Sequence, residues 1–512
     1  MARTQRSGAL LDELGEPDGI PLYRHVYRRI REQVLTGSLA SGTRLPSTRT
    51  LATDAGISRK TAEEAYAQLE TEGYVVRRGG SGTFVAEVST RRRREIRLAG
   101  RRTLSARGRA IAATTACVEP SEVRAFGAGL PALDAFPFDV WQRLLARRAR
   151  QLDARSLVYG DPAGFPALRE AIAAYVASSR GVNCDASQVV VVSSSQQALD
   201  LSARLLLDPG DEAWLEDPFY PGARAAFLAA GARAAAIPID DDGIDVAHGV
   251  RVAPNARVAY VTPSHQYPLG VTTTLERRLA LLEWARRSGA WVVEDDYDGE
   301  FRYDGRPVAS IQGLDRAGRV LYVGTFTKVL YPSLRLGYVI LPPDLVRAFV
   351  NARTQIDGHP STLMQSVTAD FLSEGHFAAH VRRMRSLYRA RRDVLLEAAE
   401  PLRDRLTFPT THAGLRATGI FSGPGPLRSL AKPSRGSAVS GAFMKAMIAN
   451  DVSGTLVDDH AIAARAARVG LEVAPLSRYC IDVKRSGLVL GYAGLSPAAI
   501  RAGMATLAEV LW

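Results

Sequence analysis

The chain is poor in cysteine and lysine and has no long apolar run. Its three cysteines, Cys117, Cys184 and Cys480, lie far apart and without metal-ligand spacing. So sparse and odd a set argues against a disulfide scaffold and gives no metal site; it predicts reduced thiols and a cytoplasmic protein. No stretch of ~18 apolar residues occurs; the richest, Ala223–Ile239, is broken by Arg224 and Arg233. The opening MARTQRSGALLDELGEPDG has no apolar core of signal-peptide kind. Neither a membrane partner nor secretion is therefore expected. Lysine is scarcer still: Lys60, Lys328, Lys432, Lys445 and Lys484 stand against 60 arginines. A function that needs a neutral, nucleophilic lysine amine has few candidates.

What is present is an ordinary globular composition, with 46% hydrophobic and 23% charged residues over 512 positions. That is room for about three domains of ~150 residues, and it excludes a mainly disordered or fibrous chain. The net charge of +12 is unevenly spread: residues 1–110 hold 21 Arg/Lys against 12 Asp/Glu, whereas the remainder is nearly balanced at 44 against 41. A basic N-terminal part on a neutral body is the electrostatic footprint of nucleic-acid binding, although a solvated helix face gives the same count.

Residues 20–88 read as one compact unit. Val26, Ile30 and Val34 make one face of a helix over Pro21–Thr36 that Gly37 ends. Leu45-Pro46-Ser47 supplies a turn and cap for a short helix over Thr48–Asp54. Gly56-Ile57-Ser58 turns into a longer helix over Arg59–Glu72, with Ala62, Ala65, Tyr66 and Leu69 at helical spacing. Tyr74–Val76 and Thr83–Val85 read as short strands around a glycine-rich turn. Helix, helix, turn, helix, hairpin is a winged helix-turn-helix, an α+β unit.

Residues 89–120 begin with Arg91–Arg94 and show no clear periodicity, which predicts a basic flexible linker. Residues 121–512 alternate apolar runs (Val189–Val192, Val258–Thr262, Trp291–Glu294, Val320–Val323) with amphipathic helices. That pattern predicts an α/β domain with a largely parallel sheet and a smaller α+β C-terminal portion. Residues 421–441, rich in Gly, Pro and Ser, read as a loop or insertion.

In a helix-turn-helix the second helix of the motif enters the major groove with its first residues on base edges. Here these are Ser58, Arg59, Lys60 and Thr61. Arginine can bond a guanine edge with two hydrogen bonds. Arg44, Ser47 and Arg49 at the preceding turn suit phosphate, and Arg77 and Arg78 lie on the wing. The strings GSLASGTRLPSTRTLA, SRKT, AYAQLETEGY and RRGGSGTFV resemble the GntR-type DNA-binding domain over Gly37–Val85. The resemblance implies double-stranded DNA as partner.

Lys328 follows the apolar strand Val320–Val323 in Gly324-Thr325-Phe326-Thr327-Lys328. A partly desolvated lysine there can condense with an aldehyde. Thr325 and Thr327 offer hydroxyls to a phosphate and Arg335 a cation. Upstream, Trp291–Glu294 runs into Asp295-Asp296-Tyr297. A carboxylate there could keep a pyridine nitrogen protonated, and a tyrosine two residues on could bond a ring oxygen. Val189–Val192 leads into Ser193-Ser194-Ser195-Gln196, a helix start suited to an anion. Tyr220 could stack on a ring. Each feature alone has an ordinary structural explanation; their grouping gives the chemistry of pyridoxal 5′-phosphate (PLP).

The strings GDPAGFPALREAIAAY, SSSQQALDL, EDPFYPGAR, TPSHQYPLG, EDDYDGEFRYDG, GTFTKVLYPSLRLGY and HAGL make residues 127–512 similar to the fold-type I PLP-dependent aminotransferases. Behind a GntR-type unit, the chain resembles the MocR/GabR family of PLP-dependent regulators. The resemblance implies that Lys328 bonds the cofactor aldehyde, Asp295 the pyridine nitrogen and Tyr297 the 3′ oxygen. Ser195, Gln196, Thr325, Thr327 and Arg335 then surround the phosphate, and Tyr159 reaches a partner subunit's cofactor in a homodimer. There are departures. Ser194 stands where glycine is expected, Thr327 for serine, Leu269 for threonine, and Val489 where many aminotransferases hold a substrate carboxylate with arginine. Arg224 is left as a candidate effector contact.

These readings together predict a cytoplasmic transcription regulator whose aminotransferase-like domain senses a small amine, an amino acid or PLP itself. A working aminotransferase with a DNA-binding head is the rival, since the minimal chemistry residues are all there; Val489 predicts inefficient turnover. A constitutive DNA-binding protein whose large domain only dimerises would have no use for Lys328, Asp295 and Arg335.

Overall fold

The computed structural model describes residues 20–87, 103–114, 123–303, 309–409, 412–422 and 457–511. The chain divides into two compact units between Thr103 and Leu104.

In the N-terminal unit, helices α1 (Leu22–Thr36), α2 (Thr48–Ala55) and α3 (Arg59–Thr71) precede a hairpin of β1 (Val75–Arg78) and β2 (Gly82–Val85). Val26, Ile30 and Val34 of α1 meet Leu51, Ala62, Ala65, Tyr66 and Leu69 in a closed apolar core, to which Val75 and Val85 tie the hairpin. The Tyr66 hydroxyl, fully buried, donates to the Pro46 carbonyl at 3.0 Å and fixes the turn before α2. Each expected helix and strand is present, with ends shifted by one or two residues. The hairpin reaches Arg77 and Arg78 because the antiparallel ladder continues to Arg78 opposite Gly82.

The segment expected to be an unstructured linker contains a helix, α4 (Ala106–Ala113). Ser105 caps it by accepting from the Gly108 N–H, and alanine and arginine favour helix. It lies in the C-terminal unit, against the helix Pro221–Ala230. The Gly- and Pro-rich stretch 421–441 falls, beyond Ser422, outside the described residues.

The C-terminal unit is built on an eight-stranded sheet in the order β3-β10-β9-β8-β7-β4-β5-β6. Its strands are β3 (Val189–Val192), β4 (Glu212–Asp217), β5 (Arg233–Asp240), β6 (Gly243–Ile244), β7 (Val258–Val261), β8 (Trp291–Asp296), β9 (Val320–Thr325) and β10 (Gly337–Ile340). Strands β5, β4, β7, β8 and β9 pair in parallel; β10 runs antiparallel between β3 and β9, and β6 antiparallel to β5. Every residue of β3, β7 and β9 is buried, which is why these strands read as unbroken apolar runs. A smaller antiparallel sheet, β11 (Leu406–Thr407), β12 (Arg416–Phe421), β14 (Gly487–Gly491) and β13 (Ala474–Pro475), packs among helices His376–Ala399, Asp459–Arg468 and Pro497–Leu511. The C-terminal portion is thus α+β, as its composition implies.

Candidate cofactor cavity and DNA-binding head

Strand register brings the candidate cofactor residues together. Gly337 of β10 lies opposite Val192 on one side and Thr325 on the other. The ends of β3 and β9 therefore lie beside the start of β10. From β3 the chain enters helix α5 (Ser195–Leu206); from β9 it enters the turn carrying Lys328; β10 is preceded by Arg335. Asp295, on β8, is one strand further, opposite Val323. These residues line a cavity of about 600 Å³, with Tyr220, Tyr260 and Tyr297 also in its wall. The lining runs along the chain from Ala128 to Tyr479.

Asp295 is buried, and its Oδ2 accepts from the Tyr260 hydroxyl at 2.9 Å. Its Oδ1 is buried without a hydrogen-bond partner. Burial, with Asp296 and Asp298 adding to it, pushes the carboxyl from 3.8 up to about 7, against the opposing hydrogen bond from Tyr260 and the charge of Lys328. A cation against Oδ1 would satisfy that oxygen and restore the carboxylate. The Lys328 Nζ donates to the Gly129 carbonyl at 3.2 Å.

Hydroxyls and one cation line the neighbouring wall. The Thr325 Oγ1 accepts from the Thr327 N–H at 3.1 Å, while the Thr327 Oγ1 is buried without a partner. Ser194 caps α5 with its side chain on the Gln197 N–H, so the helix start presents Ser195 and Gln196 to the cavity. Ser194 has φ −174°, extended backbone that any residue adopts, so serine is accommodated where glycine was expected. Arg335 is one of two described non-glycine residues with positive φ, at 51°. Such a conformation costs on the order of 1–3 kcal/mol and clusters at functional sites. Arg335 has no ion-pair partner among the described residues. The Gln196 amide donates to the Gly222 carbonyl at 2.9 Å and holds the start of α6 (Pro221–Ala230) against the cavity.

An amine, an orphaned carboxylate oxygen, an orphaned hydroxyl, a helix N-terminus and an arginine share one cavity with five tyrosines. This donor set fits an aldehyde, a pyridine nitrogen and a phosphate at its separate points.

Two predicted residues lie elsewhere. Arg224 is exposed on α6, its guanidinium 5.3 Å from the centre of the Phe219 ring, and does not line the cavity. Tyr159 is 94% exposed, in a run with Leu157 and Val158 at 78% and 68%. Several lining residues have no motif in the sequence, Tyr260 and Arg416 among them. Tyr260, the partner of Asp295, is the one hydroxyl-bearing residue in Val258-Ala259-Tyr260-Val261. Arg416 follows directly after His412-Ala413-Gly414-Leu415, and an arginine opening an apolar strand was the available signal. It donates to the Tyr297 hydroxyl at 2.5 Å. Burial opposes its charge, but Tyr297, Asp298 and Tyr267 outweigh that and hold it firmly protonated.

In the head, Ser47 and Ser58 are the N-caps of α2 and α3, accepting from the Thr50 and Thr61 N–H groups at 3.1 and 3.0 Å. Arg59 and Lys60 are exposed on the first turn of α3. Arg59 pairs with Glu63 at 2.8 Å, an exposed pair worth only ~0.3–0.5 kcal/mol, so little holds it from another partner. Arg77 pairs with Glu70 at 3.0 Å. Arg78 lies 5.0 Å from the centre of the Phe84 ring. Arg44 lies against the wing, its backbone bridged to Phe84 and its side chain beside Gly82. Arg49 is exposed on α2.

Residues 22–85 match the gntR family of bacterial regulatory proteins, and residues 125–422 match aminotransferase class I and II, a PLP-binding family. The chain is 40% identical to the probable rhizopine catabolism regulatory protein MocR of Rhizobium meliloti, over 95% of this chain and 93% of that one. It is 32% identical to the HTH-type transcriptional regulator TauR of Rhodobacter capsulatus, over 97% and 98%. Among solved structures, the kynurenine aminotransferase of Pyrococcus horikoshii, in complex with PMP, is similar at TM-score 0.65 and 28% identity, over 77% of this chain and 91% of that one. The chain belongs to the MocR-type transcription regulators, in which a GntR-type winged-helix head precedes an aminotransferase-like unit of fold type I.

Proposed function

We propose that this regulator holds PLP in the cavity, covalently through Lys328, and senses a small amine, an amino acid or PLP itself. The observation that carries the reading is the unpartnered Asp295 Oδ1 in the same cavity as Lys328 and Arg335. In this reading Asp295 holds the proton of the pyridine nitrogen, Tyr297 bonds the 3′ oxygen, and Tyr220 stacks on the ring. Ser195, Gln196, Thr325, Thr327 and Arg335 hold the phosphate. When bound, PLP supplies an aldehyde for primary amines and a ring that withdraws electrons from them.

The head, residues 20–88, binds duplex DNA. Ser58, Arg59, Lys60 and Thr61 address base edges, while Arg44, Ser47, Arg49, Arg77 and Arg78 contact the backbone. The segment that follows connects it to the sensing unit, which begins at Leu104 and includes the helix Ala106–Ala113. A homodimer presents two heads to paired half-sites. Exposed Leu157, Val158 and Tyr159 support that assembly, being a run of large side chains that a second copy would cover. For an effector to act, it must bind one arrangement of the heads more tightly than another.

The test is direct. Purified protein should carry a visible absorption band, and borohydride should fix the cofactor on Lys328 among the five lysines. Lys328→Ala should still retain operator DNA but no longer respond to the effector. Labelling of another lysine, or a Lys328→Ala protein with a normal response, overturns the reading. Turnover of an amino acid at ordinary enzyme rates would favour the aminotransferase instead.

A further inference from the structure

The family's late arginine is missing, yet the cavity contains an arginine, Arg416, with no direct cofactor contact in the reading above; one of its N–H groups goes to the Tyr297 hydroxyl and the others remain for a ligand. Strand β12 pairs with β14 so that Thr418 lies opposite Val489 and Arg416 opposite Gly491. Opposed residues of an antiparallel pair share a face, as do residues two apart on one strand. Arg416 therefore rises from the same face as Val489, one pair further along. It comes from the neighbouring strand, and the residue opposite it has no side chain.

The Arg416 guanidinium lies 4.3 Å from the centre of the Tyr267 ring and 5.1 Å from that of Tyr297. Its side chain is 5% exposed, and its Nε is buried without a hydrogen-bond partner. The nearest carboxylate oxygen, Asp298 Oδ2, is 3.9 Å away. Asp298 is already engaged by the His265 Nδ1, at 2.9 and 3.1 Å. The one ion pair of Arg416 among the described residues is therefore long and shared, its Nε is left without a partner, and it lines a ligand-sized cavity, where a second, closer anion would complete the pairing of a buried cation. Of the other cations in that wall, Lys328 and Arg335 have tasks in the reading above, and Arg478 is exposed at the rim.

We infer that Arg416 is the anion anchor of the cavity, and that the effector is therefore an amine that also carries a carboxylate: an amino acid rather than an uncharged amine. The inference rests on the cofactor reading and narrows it. A guanidinium gives a carboxylate charge-assisted hydrogen bonds with defined direction, while two tyrosine rings hold its plane. Moving the arginine from β14 to β12 changes where the carboxylate is held, so the amino acids admitted need not be those of the enzymes.

Matched probes test this on the full-length, PLP-loaded chain. L-Alanine and isopropylamine differ only by carboxylate for methyl, as do β-alanine and n-propylamine. Binding is read by calorimetry and by the visible band. Wild-type protein should bind at least one amino acid about 10- to 100-fold more tightly than its amine partner. In Arg416→Met that preference should vanish, with amine affinity changing far less. In Arg416→Lys the charge remains but the paired donors do not, so amino-acid affinity should fall part of the way. Absence of preference in the wild type overturns the inference. So does a preference kept by Arg416→Met, or one lost in Arg478→Met and kept in Arg416→Met. If Arg416→Met does not fold, Arg416→Lys decides, and wild-type affinity for both probes overturns it. A wild type without a visible band refutes the cofactor reading, and the calorimetric preference still tests the anchor.

Discussion

Asp295→Asn should stabilise the cofactor-free protein above neutrality while weakening its hold on PLP. The carboxyl is raised from 3.8 to about 7, chiefly by burial. Unfolding restores the ordinary value, so the native state binds the additional proton between those limits. Stability from this group is thus fully present below pH ~4 and is lost as pH rises through ~7. The displacement amounts to ~4 kcal/mol between the two protonation states. Asparagine carries no charge and keeps an oxygen for the Tyr260 hydroxyl. Its amide replaces the unpartnered Oδ1, and a buried donor without an acceptor costs ~1–3 kcal/mol. The balance is a gain of roughly 1–3 kcal/mol at about pH 8, which shrinks on acidification by ~1.4 kcal/mol per pH unit and vanishes or reverses near pH 5. Denaturation followed by tryptophan fluorescence reads the correct unit, because Trp141, Trp214, Trp284, Trp291 and Trp512 all lie in it. Comparing variant with wild type at each pH cancels Glu294, which burial also raises to about 7, and most of Glu216, raised likewise by burial, to which the Asp295 charge adds only as the smallest of the named causes. A variant less stable than wild type at about pH 8, or a difference independent of pH, refutes the reasoning.

Other consequences concern both units. Ser58→Ala removes the cap of α3 and should cost the head ~1 kcal/mol, seen as a lower melting temperature of residues 20–88. Arg59→Ala should relax base preference, whereas Arg78→Ala should weaken binding evenly across sequences and shallow the salt slope by about one. Gly324→Ala places a methyl 2.2 Å from the Tyr338 ring, inside a strand with no room to move; lower stability and a lost visible band should both follow. A Tyr159→Asp chain should sediment at lower mass than wild type at micromolar concentration, if this surface joins two subunits.

Much of this was legible because local signals and buried strands are strong here. Val189–Val192 is identical in sequence and structure, and among five lysines only Lys328 follows an apolar strand with hydroxyls and an arginine close by. What sequence could not show is what register decides. Arg416 is far from Val489 along the chain, and only the pairing of β12 with β14 makes one a neighbour of the other. Tyr260 likewise looks like core until Asp295 is brought against it from the adjoining strand. Arg224 lies next to the lining residue Ala225, but the helix turns its side chain to solvent. The α4 helix was hidden by a composition of arginine and alanine, which lacks an apolar stripe because no residue of α4 is buried.

The spread of the cavity lining along the chain also sets an order in time. The head is complete at Val85, but the wall of the cavity is not closed until Tyr479 has been made, 394 residues later. At bacterial translation rates that gap is roughly 20–80 s. Throughout it, a nascent chain carries a folded head and no sensor. A ribosome-stalled chain ending near residue 120 should accordingly retain operator DNA and be indifferent to PLP and amines.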